Sequence, residues 1–125
     1  MFRAKGENKD NIQIFPEGIT AYFYNESKEI TATLSSKYAI RSEREKTIIV
    51  RDSVVWRSVK DETLETEELT WDEEEEKIFT SQFVTINQPD RIIYSYGFES
   101  DQNFTYSKLN SPEAFIKVQD NVDWV

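Results

Sequence analysis

The 125-residue chain has no histidine and no cysteine, and only three glycines and three prolines. Without cysteine there is no disulfide, no thiol nucleophile, no iron–sulfur cluster and no thiolate zinc site. That absence leaves the redox compartment open, because an exported protein need not carry disulfides. Without histidine there is no Ser-His-Asp triad and no imidazole acid–base catalysis, and most transition-metal sites are lost. Gly6, Gly18 and Gly97 are too scattered to build a phosphate-cradling loop. No run of about 18 apolar residues exists to span a membrane as a helix. Met1 to Gly6 leads into polar residues rather than the apolar stretch of a signal peptide. Positive charge is also scarce, with 15 basic against 24 acidic residues and a net charge of −9. This balance disfavours nucleic acid, which is bound through Lys and Arg contacts to phosphate, and it disfavours anionic membrane surfaces. What remains is a binding or scaffold protein, or an enzyme that works with carboxylates alone.

A chain of 14.8 kDa fits one domain. Surface scaling lets such a chain bury roughly 67% of its unfolded surface, enough for one core. Hydrophobic residues make up 38% and aromatics 14%, so this is not a disordered acidic segment. The mean hydropathy is −0.67, so the apolar residues must be well placed rather than abundant.

Their placement follows period two. Ile19, Ala21 and Phe23 alternate with Thr20, Tyr22 and Tyr24, and Ile30, Ala32 and Leu34 alternate with Thr31, Thr33 and Ser35. The even parity of the second run continues to Tyr38 and Ile40. Alternation of this kind marks strands with one buried face. Further β-rich runs cover 47–50, 54–59, 64–71, 78–86, 92–98 and 104–109, separated by short polar breaks in hairpin fashion. Only 111–118 leaves helix and strand equally open: Ser111-Pro112-Glu113 resembles a helix start, while Ala114, Ile116 and Val118 share one parity. An internal echo occurs at an offset of thirty residues, pairing Thr33-Leu34 with Thr63-Leu64, Ile48 with Ile78, Val54 with Val84, and Trp56 with Ile86. An even offset preserves facing, so matched side chains can share one interior. Leu64 is even but Leu69 and Trp71 are odd, which calls for a β-bulge near Glu67-Glu68.

Few residues suggest chemistry. The acidic run 72–76 lacks the spaced ligands and central glycine of a calcium loop, and reads as a solvated turn between Trp71 and Ile78. A carboxylate pair could serve a glycosidase, but with 24 acids some pair is inevitable. Aromatics could form a sugar platform in a carbohydrate-binding β-sandwich module. Trp56 and Trp71 lie inside strand runs, however, which places them in a core or on an apolar groove wall. No catalytic residue, metal ligand or cofactor is assigned.

Several motifs in order resemble one family. Residues 15–26, from Phe15-Pro16-Glu17-Gly18-Ile19 to Phe23-Tyr24-Asn25-Glu26, resemble the "FP-x-G-I … FY-x-E" opening of LptC proteins. Residues 30–39 are similar to that family's first long strand, which tends to close on "Y-A". Residues 64–72 resemble "L-x-T-E-x-L-x-W-D", and residues 77–86 resemble "K-I-x-[ST]-x-x-x-V-x-I". Residues 97–104 are similar to the closing "G-x-G-F-x-S-D-x-x-F", with Ser95 where the first glycine often stands.

The resemblance covers residues 13–109. It implies an all-β, twisted antiparallel β-jelly roll, boat-shaped and partly open, like LptA and the LptD N-terminal domain. The expected organisation is a flexible segment over 1–12, the jelly-roll domain over 13–109 and a C-terminal tail over 110–125. The implied function is periplasmic lipopolysaccharide transport without enzymatic activity. Lipid A acyl chains would lie in an apolar groove, received from the inner-membrane LptBFG transporter and passed to an LptA-like bridge protein. The same edge strands would serve a homo-oligomer. Family members are tethered to the inner membrane by an N-terminal helix, which this chain lacks. On this reading Leu34, Tyr38, Ile48, Val54, Trp56, Ile78, Val84 and Ile86 face the lipid groove, and Phe104, Tyr106 and Leu109 belong to a partner-binding edge strand.

Overall fold

The structure, a computed structural model, describes residues 11–102 and 106–117. Phe104 of the expected partner edge lies outside these residues, as do Val118 and the residues after it. The described residues form nine strands and no helix: β1 Ile12–Phe15, β2 Ile19–Tyr24, β3 Ile30–Ser36, β4 Tyr38–Ser42, β5 Thr47–Ser58, β6 Thr63–Asp72, β7 Lys77–Gln88, β8 Arg91–Asp101 and β9 Ser107–Lys117. They make one antiparallel sheet in the order β1-β4-β5-β6-β7-β8-β9, with β2 joined through β3 to β5.

The sheet bends across its middle, and this makes an interior. The register shifts between Arg51 and Val54 on β5, between Thr66 and Thr70 on β6, and between Thr80 and Phe83 on β7. These irregularities sit side by side, so the long strands turn at one level. The short strands at the other side continue the same line. β4 pairs with the first half of β5 and β3 with its second half, and they meet at Lys37, whose N–H donates to the carbonyl of Asp52 at 3.0 Å. Asp52 and Ser53 take left-handed φ values of 65° and 54°, a conformation that short polar side chains tolerate better than bulky ones. β1 and β2 repeat the arrangement at the edge, bending at Pro16-Glu17-Gly18.

The bend is passed in two ways that keep one face inward. β5 and β7 insert extra outward residues and keep their even parity, burying Ile48, Val50, Val54 and Trp56 on one and Ile78, Val84 and Ile86 on the other. β6 instead switches parity, from Leu64 and Thr66 to Leu69. That switch is the bulge expected near Glu67-Glu68. The thirty-residue echo is the match between β5 and β7, both 12 residues long and bent at corresponding points.

One point departs from the sequence reading and a second resolves an alternative it left open. Lys37 sits at the bend outside the alternation, so Ala39 is buried while Tyr38 and Ile40 are only half-buried. The even parity of β3 therefore does not carry through to Tyr38. The second is β9, Ser107–Lys117, in which residues 111–117 take the strand of the two readings left open for 111–118.

Inward-facing rows cross the sheet. Ala21, Leu34, Trp56, Leu64, Ile86 and Ile93 stand opposite one another on successive strands in one half. In the other half the row is Gln13, Arg41, Ile48, Trp71, Ile78 and Ser100. Phe23 joins the halves, with its ring 5.0 Å from Trp56 and 4.6 Å edge-on to Trp71. Such contacts add about 0.5–1.5 kcal/mol beyond area burial.

Gly18 is required where β2 begins. Its φ is +85°, and a Cβ there would lie 1.9 Å from the carbonyl oxygen of Ser36. Gly97 also has positive φ, +86°, but its Cβ would meet only the Asn110 side chain, which can move. Gly18→Ala is therefore expected to lower unfolding free energy by at least about 2 kcal/mol, and Gly97→Ala by less. Urea denaturation of both variants checks the order. Equal losses would contradict the backbone clash at Gly18.

An apolar mouth between the first two strands

Only part of the interior is closed. β1 and β2 diverge, and between them opens a cavity of about 580 Å³ lined by Phe15, Ile19, Ala21, Ile48 and Trp71, with Gln13, Arg41 and Glu73 at its polar end. Thr20, Tyr22 and Tyr24 complete the lining from the edge strand. This size lies within the range of about 300–1,000 Å³ usual for small-molecule sites.

Each wall follows from the strands. The alternation of β2 turns Ile19 and Ala21 inward. Ile48 and Trp71 are paired across β5 and β6, so their side chains stand on the same face. Trp71 keeps its ring in the cavity wall while Nε1 donates to Gln102 Oε1 at 3.2 Å, and Gln102 Nε2 donates to Glu76 Oε2 at 3.0 Å. The polar tip is thus satisfied at the rim, and the apolar body remains available to a ligand.

Arg41 faces inward beside Ile48. Its Nε and Nη2 donate to Glu73 Oε2 and Oε1 at 3.1 and 3.2 Å. Glu43 lies further off, 3.9 Å from Nη1. The Glu73 hydrogen bonds hold the Arg41 pKa above its ordinary value, against a smaller opposing effect of burial. Glu73 is positioned by the turn of the acidic run, in which Asp72 Oδ1 accepts the N–H groups of Glu74 and Glu75 at 3.0 and 2.9 Å. The Glu73 N–H donates to the Lys46 carbonyl at 2.9 Å, tying this turn to the β4–β5 turn. The run is the hairpin turn expected between Trp71 and Ile78.

Of the residues expected on the lipid groove, only Ile48 lines this mouth. Leu34, Val54, Trp56, Ile78, Val84 and Ile86 are buried together in the packed core, and Tyr38 is outside that cluster. On the expected partner edge, Leu109 packs against the core and Tyr106 is exposed. The Tyr106 hydroxyl donates to Glu99 at 3.2 Å, and its pKa is raised by desolvation and then by that bond. Among the described residues, no strand pairs with the far sides of β1, β2 or β9. Sequence reading missed Gln13, Arg41 and Glu73. The available signal was that Arg41 shares the odd parity of Ala39, which becomes visible only once Lys37 is known to break the alternation.

The exposed Phe83 and Tyr96 do not form a flat platform. Phe83 stacks on Tyr94 with centroids 6.0 Å apart and meets Tyr96 edge-on at 5.1 Å, on the outer face. Among the described residues no helix is long and apolar enough to cross a membrane, and no group of three or more acidic side chains is arranged to hold a metal ion.

Wall and core should separate energetically. Arg41→Ala removes a half-exposed ion pair and should cost no more than about 1 kcal/mol. Leu34→Ala removes a fully buried side chain and should cost about 2–5 kcal/mol. Chemical denaturation of the two variants measures both. An Arg41→Ala loss as large as that of Leu34→Ala would show that the mouth is part of the structural core.

Comparison with known proteins adds the family. No curated protein matches the chain. A family model described as "Lipopolysaccharide-assembly, LptC-related" matches residues 7–110, most of the chain. With the open, bent antiparallel sheet and its apolar mouth, this match means that the chain belongs to the LptC family and takes part in lipopolysaccharide transport.

Proposed function

We propose that the chain receives lipopolysaccharide from the inner-membrane LptBFG transporter and passes it to an LptA-like bridge protein, holding the lipid A acyl chains in its partly open interior. The observation that carries this reading is the apolar mouth between β1 and β2, continuous with the core through Ile48 and Trp71. Burial there stabilises an acyl chain by about 0.8 kcal/mol per CH₂. Ile48 contacts the lipid first. Leu34, Val54, Trp56, Ile78, Val84 and Ile86 form the deeper floor, reached as the halves of the sheet part, and Tyr38 stands at its margin.

The edges of the sheet supply the relay. β1 and β2 at one end and β9 at the other offer backbone groups to a strand of a neighbouring protein, which would extend the sheet. Tyr106 and Leu109 lie at the β9 end and would meet the LptA-like partner, and a homo-oligomer would use the same edges. The setting is the periplasm, with the domain tethered to the inner membrane by a helix outside the present sequence. The work is binding and transfer, so it needs no catalytic group. The carbohydrate-module reading finds no support in Trp56, which is buried, or in Trp71, which faces the interior.

Site-specific photocrosslinking tests the proposal. A benzophenone side chain replacing Ile48 or Ala21 should give a lipopolysaccharide adduct in cells. The same group replacing the outward-facing Glu65 should give none. Equal labelling at all three positions, or labelling at Glu65 alone, would overturn the inner-groove assignment.

A further inference from the structure

The inward row at the mouth begins polar and becomes apolar. Gln13 and Arg41 precede Ile48 and Trp71 along it. A charged side chain on the inner face of a sheet is costly unless it is paired. Glu73 pairs Arg41 through two hydrogen bonds, and these two residues are the charged groups on the cavity wall. They are held from different places. Arg41 belongs to β4, whereas Glu73 belongs to the β6–β7 turn and can swing away without breaking the sheet's backbone ladder. Both side chains are partly exposed, at 36% and 26%, so the pair adds little stability and exchanges readily.

From this arrangement we infer that Arg41 and Glu73 form an exchangeable latch: the phosphate of an acylated, phosphorylated ligand takes the Arg41 guanidinium from Glu73 while the acyl chains enter past Ile48 and Trp71. The inference rests on the acyl-groove reading above. Its chemistry is specific to phosphate. The guanidinium fork matches phosphate oxygens in a bidentate fashion. A phosphate monoester carries a charge of about −1.5 to −2 and three acceptor oxygens, so it outcompetes a single carboxylate. A fatty-acid carboxylate would only replace Glu73 with its like. Glu43, 3.9 Å from Arg41, remains beside the bound phosphate and weakens the hold, which suits transfer rather than retention.

The test titrates dioctanoyl phosphatidic acid and uncharged dioctanoylglycerol into the full chain, following tryptophan fluorescence. Circular dichroism melts verify that each variant is folded. Glu73→Gln frees Arg41, so phosphatidic acid should bind roughly tenfold tighter, a change of about 1.4 kcal/mol, with dioctanoylglycerol unchanged. Arg41→Gln should abolish the preference for the phosphorylated lipid while dioctanoylglycerol still binds. If both lipids bind but their affinity ratio is the same in all three proteins, the latch is overturned and the acyl groove stands. If neither lipid binds any of them, the groove reading fails and the latch falls with it.

Discussion

A single antiparallel sheet has two faces and can bury neither by itself. The described fold depends on the sheet bending at one level across its central strands, so that its two halves cover each other. The bend requires the long central strands to break their ladders at corresponding points. β5 does so at Asp52-Ser53, β6 at 67–69, β7 at 81–82, and the shorter strands by ending near Lys37 and Gly18. If one strand ran straight through, its neighbours would lose hydrogen bonds on one side of the line. The strained φ values of Asp52 and Ser53, and the close approach of Gly18 to Ser36, are local costs of that shared line.

The bend also decides what is core and what is groove. Toward the middle of the sheet the halves press together, and Leu34, Trp56, Leu64 and Ile86 fill the space. At the β1–β2 side the strands are short and diverge, so the same inward row leaves a cavity bounded by Ile48 and Trp71. Core and candidate binding surface are therefore parts of one continuous apolar face. Phe23 stands at the boundary, touching Trp56 on the core side and Trp71 on the cavity side.

Electrostatics complements this arrangement. A net charge of −9 makes the general surface unattractive to phosphates and sulfates. Against that background, a guanidinium on the inner face at the mouth is a local exception, and its carboxylate partner keeps it neutralised at rest. On the proposed reading, a lipid carrier must hold its cargo without trapping it. Apolar burial supplies the hold, and a weak, partly exposed ion pair is compatible with release. Membership of the LptC family is consistent with a domain that carries no histidine or cysteine chemistry.

Much of the fold was legible in the residues because strand periodicity is a local property. Alternation at 19–24 and 30–35, the even echo between 48–56 and 78–86, and the parity conflict between Leu64 and Leu69 all predict strands, a shared interior and a bulge, and the sheet has them. The buried set was legible for the same reason. Tyr38 was not, because one bend residue, Lys37, flips the facing of everything after it, and nothing in the local sequence marks Lys37 as that residue. The mouth was less legible still. Gln13, Arg41, Ile48, Trp71 and Glu73 come from β1, β4, β5, β6 and a turn, and period two says which way each points but not how far neighbouring strands diverge. The sequence by itself determined the strands, their inward faces and the absence of histidine and cysteine chemistry. Only the tertiary structure decided where that inward face closes into core and where it stays open, because divergence of strands depends on all their bends at once.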